Sequence, residues 1–288
     1  MDCQPRIETP TAEEYVELNR YKLIAIDIDG TLLTSEKSIA PETKKAIEKA
    51  IATGVHVVLC TGRPLSGVKD YLEALGLNAE GRYVATYNGA LVQEIKSGEP
   101  VVHHQLKGSD MIALLELSQQ LGLRSHFMDL DFMYTTDKEI SDYTVLDAYL
   151  TKSRLNAISK NEVGVEQDYT KFMMVDHPEL IDIAEKNLPD SLLEDYTVIR
   201  SQPFFLEIMK KGAHKGSGIE SLAQKLGINA SEVICIGDAE NDRHMIEYAG
   251  LGVAMDNASD AIKSIANFVT KTNDEHGVAH VIEEYILA

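Results

Sequence analysis

Four short polar clusters carry the residue types that could do chemistry, and each one ends an apolar run or opens a helix-like stretch. The first is Asp27-Ile28-Asp29-Gly30-Thr31, directly after the unbroken apolar run Leu23–Ile26. The second is Thr61-Gly62-Arg63, after residues 55–60. The third is Lys215 in Gly212-Ala213-His214-Lys215-Gly216, and the fourth is Gly237-Asp238-Ala239-Glu240-Asn241-Asp242, after residues 233–236. Short apolar runs of this kind read as parallel strands buried on both faces, and open α/β sheets hold their ligands beyond the carboxyl ends of such strands. Two carboxylates side by side at a buried edge repel unless a cation lies between them. An oxygen-only ligand set suits a hard divalent ion, which points to Mg²⁺. Residues two apart on a strand share a face, so Asp27 and Asp29 are expected to converge on one ligand if the extended geometry persists that far. Gly30 lets the backbone leave the strand in a turn.

Each cluster also has a plainer reading. Asp-Gly can simply close a strand before a turn. Thr61 either caps the next helix or donates its hydroxyl to a phosphoryl oxygen, with Gly62 allowing close backbone approach. Arg63 is a substrate contact or a surface charge. The positive end of a helix dipole disfavours a cation, so Lys215 at a helix start implies an anionic partner unless it is solvated. Asp238 is placed for metal ligation, and Asn241 and Asp242, about one turn on, contact phosphate or orient the metal's surroundings. His214 reads as incidental, and Glu240 as an ordinary first-turn acid.

The elements that must position these residues alternate. Pro41 and Gly54 bracket a helix over residues 42–53. Strands are expected at residues 55–60 and 83–87 with a helix between them, completing a βαβαβ succession. The pattern then shifts to a hairpin at residues 91–95 and 101–106. Short strands mixed with helices, one of them over residues 178–188, fill residues 109–205 and read as an α+β unit with an antiparallel sheet, and alternation returns after Lys215. The chain therefore divides into an N-terminal extension (1–20), a core in two parts (21–103 and 207–288) and an inserted cap (104–206). The fold class is α/β, a doubly wound, Rossmann-like parallel core with an inserted α+β domain. A short helix over residues 12–18 is possible in the extension.

Composition narrows the function classes. At 288 residues the chain exceeds the usual single-domain length. A net charge of −19 opposes a nucleic-acid or acidic-membrane partner but permits a small phosphorylated substrate met by a local positive cluster. No apolar stretch approaches the roughly 20 residues of a membrane span, and no secretory h-region is seen. Cys3, Cys60 and Cys235 have no metal-ligand spacing. Cys60 and Cys235 read as buried small hydrophobes, and together these features point to the cytoplasm.

Taken in order, Asp-x-Asp-Gly-Thr, Thr61, Lys215 and Gly-Asp-x-x-Asn-Asp resemble the four motifs of the haloacid-dehalogenase-like phosphatases, from Tyr21 onward. The long insert resembles their C2B-type cap. The runs at 87–92, 205–208 and 245–258 are similar to Cof-type sugar phosphatases. Cys60 before Thr61 and His214 before Lys215 depart from common choices without altering a motif residue.

The resemblance implies that Asp27 is the nucleophile, forming an aspartyl phosphate, and that Asp29 is the general acid and then base. Mg²⁺ is then held by the side chains of Asp27 and Asp238 and the backbone carbonyl of Asp29, with Asp242 supporting its water shell. Thr61, Lys215, Asn241 and N–H groups near Gly30 take the phosphoryl oxygens, and Gly62 and Arg63 are counted with that site. Asn88 and Glu207 fall near the two chain crossings, as hinge or substrate residues. Two alternatives share the aspartyl-phosphate chemistry. A phosphomutase would return the group to the sugar. A phosphorelay receiver would hold it as a switch, but receivers lack both the second Asp and a large insert.

Overall fold

The computed structural model describes residues 20–288, so the possible helix at 12–18 and Cys3 lie outside the described residues. The chain opens with β1 (Leu23–Ile26), α1 (Pro41–Ala52), β2 (His56–Cys60), α2 (Lys69–Ala74) and β3 (Tyr83–Thr86). The hairpin of β4 (Leu91–Glu94) and β5 (Pro100–His103) follows. Next come β6 (Leu106–Lys107), α3 (Gly108–Gln120), β7 (Arg124–Met128), β8 (Phe132–Thr135), α4 (Asp142–Thr151) and β9 (Arg154–Ala157). The same region continues through β10 (Asp168–Tyr169), β11 (Lys171–Val175), α5 (Pro178–Lys186), α6 (Asp190–Asp195), β12 (Tyr196–Gln202) and β13 (Phe205–Lys210). The chain closes with α7 (Lys215–Leu226), β14 (Val233–Gly237), α8 (Arg243–Tyr248), β15 (Leu251–Ala254), α9 (Asp260–Lys263), β16 (Phe268–Val269) and α10 (Gly277–Tyr285).

The first sheet has eight strands in the order β16-β15-β14-β1-β2-β3-β4-β5. It is parallel from β16 to β3, and the β4–β5 hairpin adds two antiparallel strands at one edge. All four residues of β1 are fully buried because neighbours flank it on both sides and helices cover both faces. Its side chains alternate between those faces. Ile24 and Ile26 pack with α1, α2 and α10 through Ile47, Leu72 and Ile282. Leu23 and Ala25 pack with α7 and α8 through Ile219, Leu222 and Met245. Pro41 at the first position of α1 meets the fixed-φ requirement of a helix start.

The second sheet has six strands, ordered β12-β13-β11-β7-β8-β9, over a core that includes Phe127, Phe172, Leu114 and Ile181. It differs from expectation in three respects. The β8–β9 pair is parallel, so the sheet is mixed, and β9 carries too few buried apolar positions to be visible in the sequence. The helix expected through Leu188 stops at Lys186 and restarts as α6 after Pro189. β13 belongs to this sheet and runs to Lys210, so a boundary at 206/207 would cut through a strand. At the other crossing, Leu106 leaves the expected hairpin and pairs with Tyr169. Among the described residues, no helix is long and apolar enough to cross a membrane.

Candidate active site

Asp27 follows β1 directly, and its N–H donates to the carbonyl of Ile236, 3.0 Å away, at the end of β14. Two acidic strand ends are thereby set side by side. The chain then leaves the extended conformation: the N–H groups of Leu32 and Leu33 donate back to Asp27 and Ile28, closing a wide turn. Gly30 takes φ +86° in that turn, and a Cβ there would lie 2.3 Å from Oδ2 of Asp238. Only glycine fits, on both counts. The turn corrects one expectation. Asp27 and Asp29 are not paired as strand neighbours would be, because the turn gives each its own protein partner.

Asp27 meets Lys215 instead. The fully buried Lys215 ammonium donates to Oδ1 of Asp27 and Oδ1 of Asp242, each at 2.6 Å. Burial alone would push this ammonium down, but Asp242 and Asp27 outweigh it and hold its pKa well up. Burial pushes the Asp27 carboxyl well above the usual range; Lys215 opposes this, while Asp242 and Asp238 add to it. Asp238 is pushed up to about 6, by burial first and Asp242 next. Thr31 donates to its Oδ1 at 2.9 Å. The cluster thus holds three carboxylates and one ammonium, which leaves it short of positive charge.

Asp29 has a different partner. Arg63 grips both of its oxygens, Nε to Oδ2 at 2.8 Å and Nη2 to Oδ1 at 2.7 Å, and Lys37 lies 3.4 Å from Oδ1. Burial would raise the Asp29 carboxyl, but the Arg63 hydrogen bonds and charge, aided by Lys37, bring it below its ordinary value. Arg63 is therefore neither a free surface charge nor, in this state, open to substrate. Thr61 is buried, and its hydroxyl accepts from the N–H of Arg63 at 3.2 Å within the loop; it caps no helix, because the next helical turn starts only after Pro64. A Cβ on Gly62 would lie 3.1 Å from the Asn88 amide, so this glycine makes room for Asn88.

Asn88 is fully buried; its Nδ2 donates to Glu207 at 2.9 Å, and its Oδ1 accepts from Asn241 Nδ2 at 3.0 Å. Asn241 is thereby brought into the site, but against Asn88. Asp242 is engaged on both oxygens: Oδ1 accepts from Lys215, and Oδ2 accepts from the N–H groups of Asp238 and Ala239 at 3.0 Å each. Its role is to fix the lysine and the loop.

Two residues escaped the sequence reading. Lys171, at the head of the buried strand β11, pairs with Glu207 at 3.1 Å and donates to the carbonyl of Gly62 at 3.3 Å. A lysine inside an apolar run was the available signal. His214 is not incidental: its Nδ1 accepts from the N–H of Ser217 at 3.0 Å, capping α7, and its ring stacks on His244 at 4.1 Å. Burial, then His244 and His104, lower it to about 4, so it caps as the neutral ring.

Carboxylate oxygens of Asp27, Asp238 and Asp242 lie within 4.8 Å of one another. The raised carboxyls of Asp27 and Asp238 are the direct sign that this site fits a cation, because a cation would relieve the burial and mutual repulsion that raise them. Asp27 and Asp238 have room to ligate it. Asp242 already accepts three hydrogen bonds, two of them from the loop backbone, and the Asp29 side chain is turned toward Arg63.

A Rossmann-like sheet with acidic ends on two adjacent strands around a buried lysine, and a second α/β layer inserted into it, defines the haloacid dehalogenase-like fold. The chain belongs to the haloacid dehalogenase-like hydrolase family, which matches residues 24–282. It is 46% identical over 268 residues to a Bacillus subtilis protein named "Putative phosphatase YxeH", covering 93% of this chain and 99% of that protein. A solved haloacid dehalogenase-like hydrolase from Bacteroides thetaiotaomicron superposes with a TM-score of 0.81 at 31% identity, covering 91% of this chain and 98% of that one. The subclass IIB sugar phosphatase BT4131 shares the fold, with a TM-score of 0.78 at 22% identity, covering 93% of this chain and all of that one. Members of this family that act as phosphatases use a divalent metal, in keeping with the acidic cluster here.

Proposed function

We propose that this hydrolase is a Mg²⁺-dependent phosphatase of small phosphorylated metabolites, sugar phosphates foremost, acting in the cytoplasm through an aspartyl phosphate on Asp27. One observation carries the reading: two carboxylates two residues apart are given opposite surroundings. Asp27 sits in the cation-hungry cluster and Asp29 sits outside it on Arg63. This is the division of labour a nucleophile and a proton carrier need.

An Asp27 oxygen attacks phosphorus and the ester oxygen leaves, taking a proton from Asp29. Water then attacks the aspartyl phosphate, gives its proton to Asp29, and phosphate departs with the Asp27 carboxylate restored. Lys215 holds Asp27 and offsets charge on the transferring group, with Thr61, Asn241 and the N–H groups near Gly30 as further donors. The metal, on Asp27 and Asp238, supplies charge neutralisation of the phosphoryl group. Arg63 holds Asp29 as the carboxylate, the form the second step uses. For the first step Asp29 gains a proton and Arg63 must release it.

The test is phosphate release from a panel of phosphorylated sugars and cofactors, with Mg²⁺ and with a chelator. Release with Mg²⁺ that stops on chelation is expected, together with beryllofluoride uptake at residue 27. A sugar-phosphate isomer formed in place of free phosphate would show a phosphomutase. A stable phosphorylated protein with no turnover would show a receiver-like switch.

A further inference from the structure

Asn88 is held at a cost. Tyr87, Asn88 and Gly89 take φ of +51°, +53° and +81° in succession, and for an aromatic residue the left-handed region is strained. The N–H of Asn88 donates to the carbonyl of Thr61 at 2.9 Å and that of Tyr87 to Arg63 at 3.1 Å, strapping the turn to the phosphate-site loop. The turn delivers a fully buried carboxamide to the meeting point of three elements: the Thr61–Gly62 loop, the loop bearing Asn241, and β13 of the second sheet.

The direction of that chain of hydrogen bonds follows from chemistry. A carboxylate accepts and has no proton to give, whereas a carboxamide donates on one side and accepts on the other. Glu207, paired with Lys171, therefore takes the NH₂ of Asn88. The carbonyl of Asn88 must then face Asn241, and Asn241 must turn its NH₂ toward Asn88. Asn241 makes no other side-chain hydrogen bond among the described residues, which leaves its second N–H for a ligand. A group on the second sheet thus fixes which way an amide on the first sheet points. A buried ion pair such as Lys171–Glu207 adds little net stability by itself.

We propose that Glu207 is a positioning residue. Carried on β13, it orients Asn88 and through it Asn241, so the phosphate-site amide is aligned only when the second sheet is seated over the first. This rests on the phosphatase reading above, with Asn241 as a phosphoryl contact.

The experiment uses the full chain and compares the single variants Glu207→Gln and Asn88→Asp with two double variants. One oxygen of Glu207 serves both Asn88 and Lys171, so Glu207→Gln leaves only a neutral carbonyl in its place, and kcat and affinity for inorganic phosphate are each expected to fall about tenfold, the difference between a charge-assisted and a neutral hydrogen bond. Asn88→Asp sets two carboxylates face to face and is expected to cost about a hundredfold. In Glu207→Gln with Asn88→Asp, the new amide donates to the new carboxylate, which still accepts from Asn241, and kcat should return to within about threefold of wild type. Glu207→Gln with Lys171→Met also restores charge balance but not direction, so it should recover the thermal midpoint and leave kcat and phosphate affinity low.

Equal recovery by both doubles would overturn the inference in favour of charge balance. So would a Glu207→Gln variant matching wild type in both readouts. If the Asn88→Asp proteins do not fold, the pair without that change decides alone, with recovery of kcat by Lys171→Met as the overturning result. Absence of wild-type turnover on every phosphate ester would instead reject the phosphatase reading, and phosphate affinity would still report on the relay.

Discussion

The buried charges of the two sheets are arranged on opposite principles. Beneath the second sheet each acid has its own partner: Lys171 pairs with Glu207 at 3.1 Å, Arg124 pairs with the buried Asp176 at 3.1 Å, and the His126 ring is hydrogen-bonded to Asp147 at 3.0 Å. At the ends of β1 and β14 the acids do not, since Asp27, Asp238 and Asp242 share one lysine. Asp147 shows the contrast. Burial would raise it, yet hydrogen bonding and charge from His126 bring it below its ordinary value, whereas Asp27 and Asp238 stay raised. Balanced charge marks a place where side chains hold one another in position. Unbalanced charge marks a place kept ready for something the chain does not itself supply.

Substitutions can break that contrast, and the largest effect belongs to Asp27. Asp27→Asn removes the nucleophile, so turnover should fall by about 10⁴-fold or more, read by phosphate release. The metal-free thermal midpoint should change little, because one of three competing acids is gone and Lys215 keeps Asp242. A collapse in stability would mean the cluster is structural.

The reverse is expected at Asp147. Asp147→Asn weakens the bond to His126 and should cost about 1–3 kcal/mol in denaturant unfolding, with kcat near wild type. Because its folded pKa is lowered, Asp147 contributes stability at pH values above its unfolded pKa, near 4, and that contribution is lost as pH falls further. The variant should flatten the acid limb of the stability profile.

Supplying the missing charge is the third test. Mg²⁺ at about a hundred times its dissociation constant should add about 2.7 kcal/mol to stability, and Asp238→Asn should abolish most of that gain. Equal stabilisation of both proteins would place the ion elsewhere.

The smallest effect concerns His214, a charge-neutral cap beside the unbalanced cluster. Its folded pKa of about 4 lies below its unfolded value, so the cap is fully present above about pH 6.5 and is lost as pH falls toward 4. His214→Asn, which also caps, should keep stability at pH 7 within about 1 kcal/mol and remove that slope.

The sequence made the four polar clusters and their buried strands legible because parallel strands covered on both faces leave unbroken apolar runs, and all of β1 and β14 is buried. The turn after Asp27 was not legible: nothing in Asp-Ile-Asp-Gly distinguishes a strand that continues from one that folds back. Arg63 stayed open for the same reason, since its partner lies 34 positions earlier, after the neighbouring strand. β13 was read as a motif and not as a strand, and only pairing with β11 and β12 reveals its sheet. Lys171 shows a further limit. A charge inside an apolar run acquires meaning only when its counter-charge, far along the chain, is known.

The two crossings between the sheets lie against each other. Gly89, just before the β4–β5 hairpin that leads to the outbound crossing, packs so tightly on the returning chain that a Cβ would sit 2.4 Å from the carbonyl of His214, one residue before Lys215. An insert that leaves and re-enters through one tight aperture behaves, over evolutionary time, as a cassette. Its strands can be lengthened, its surface rewritten or its whole content exchanged by recombination without shifting β1 against β14. Descendants of such a gene would share one core while diverging in the insert.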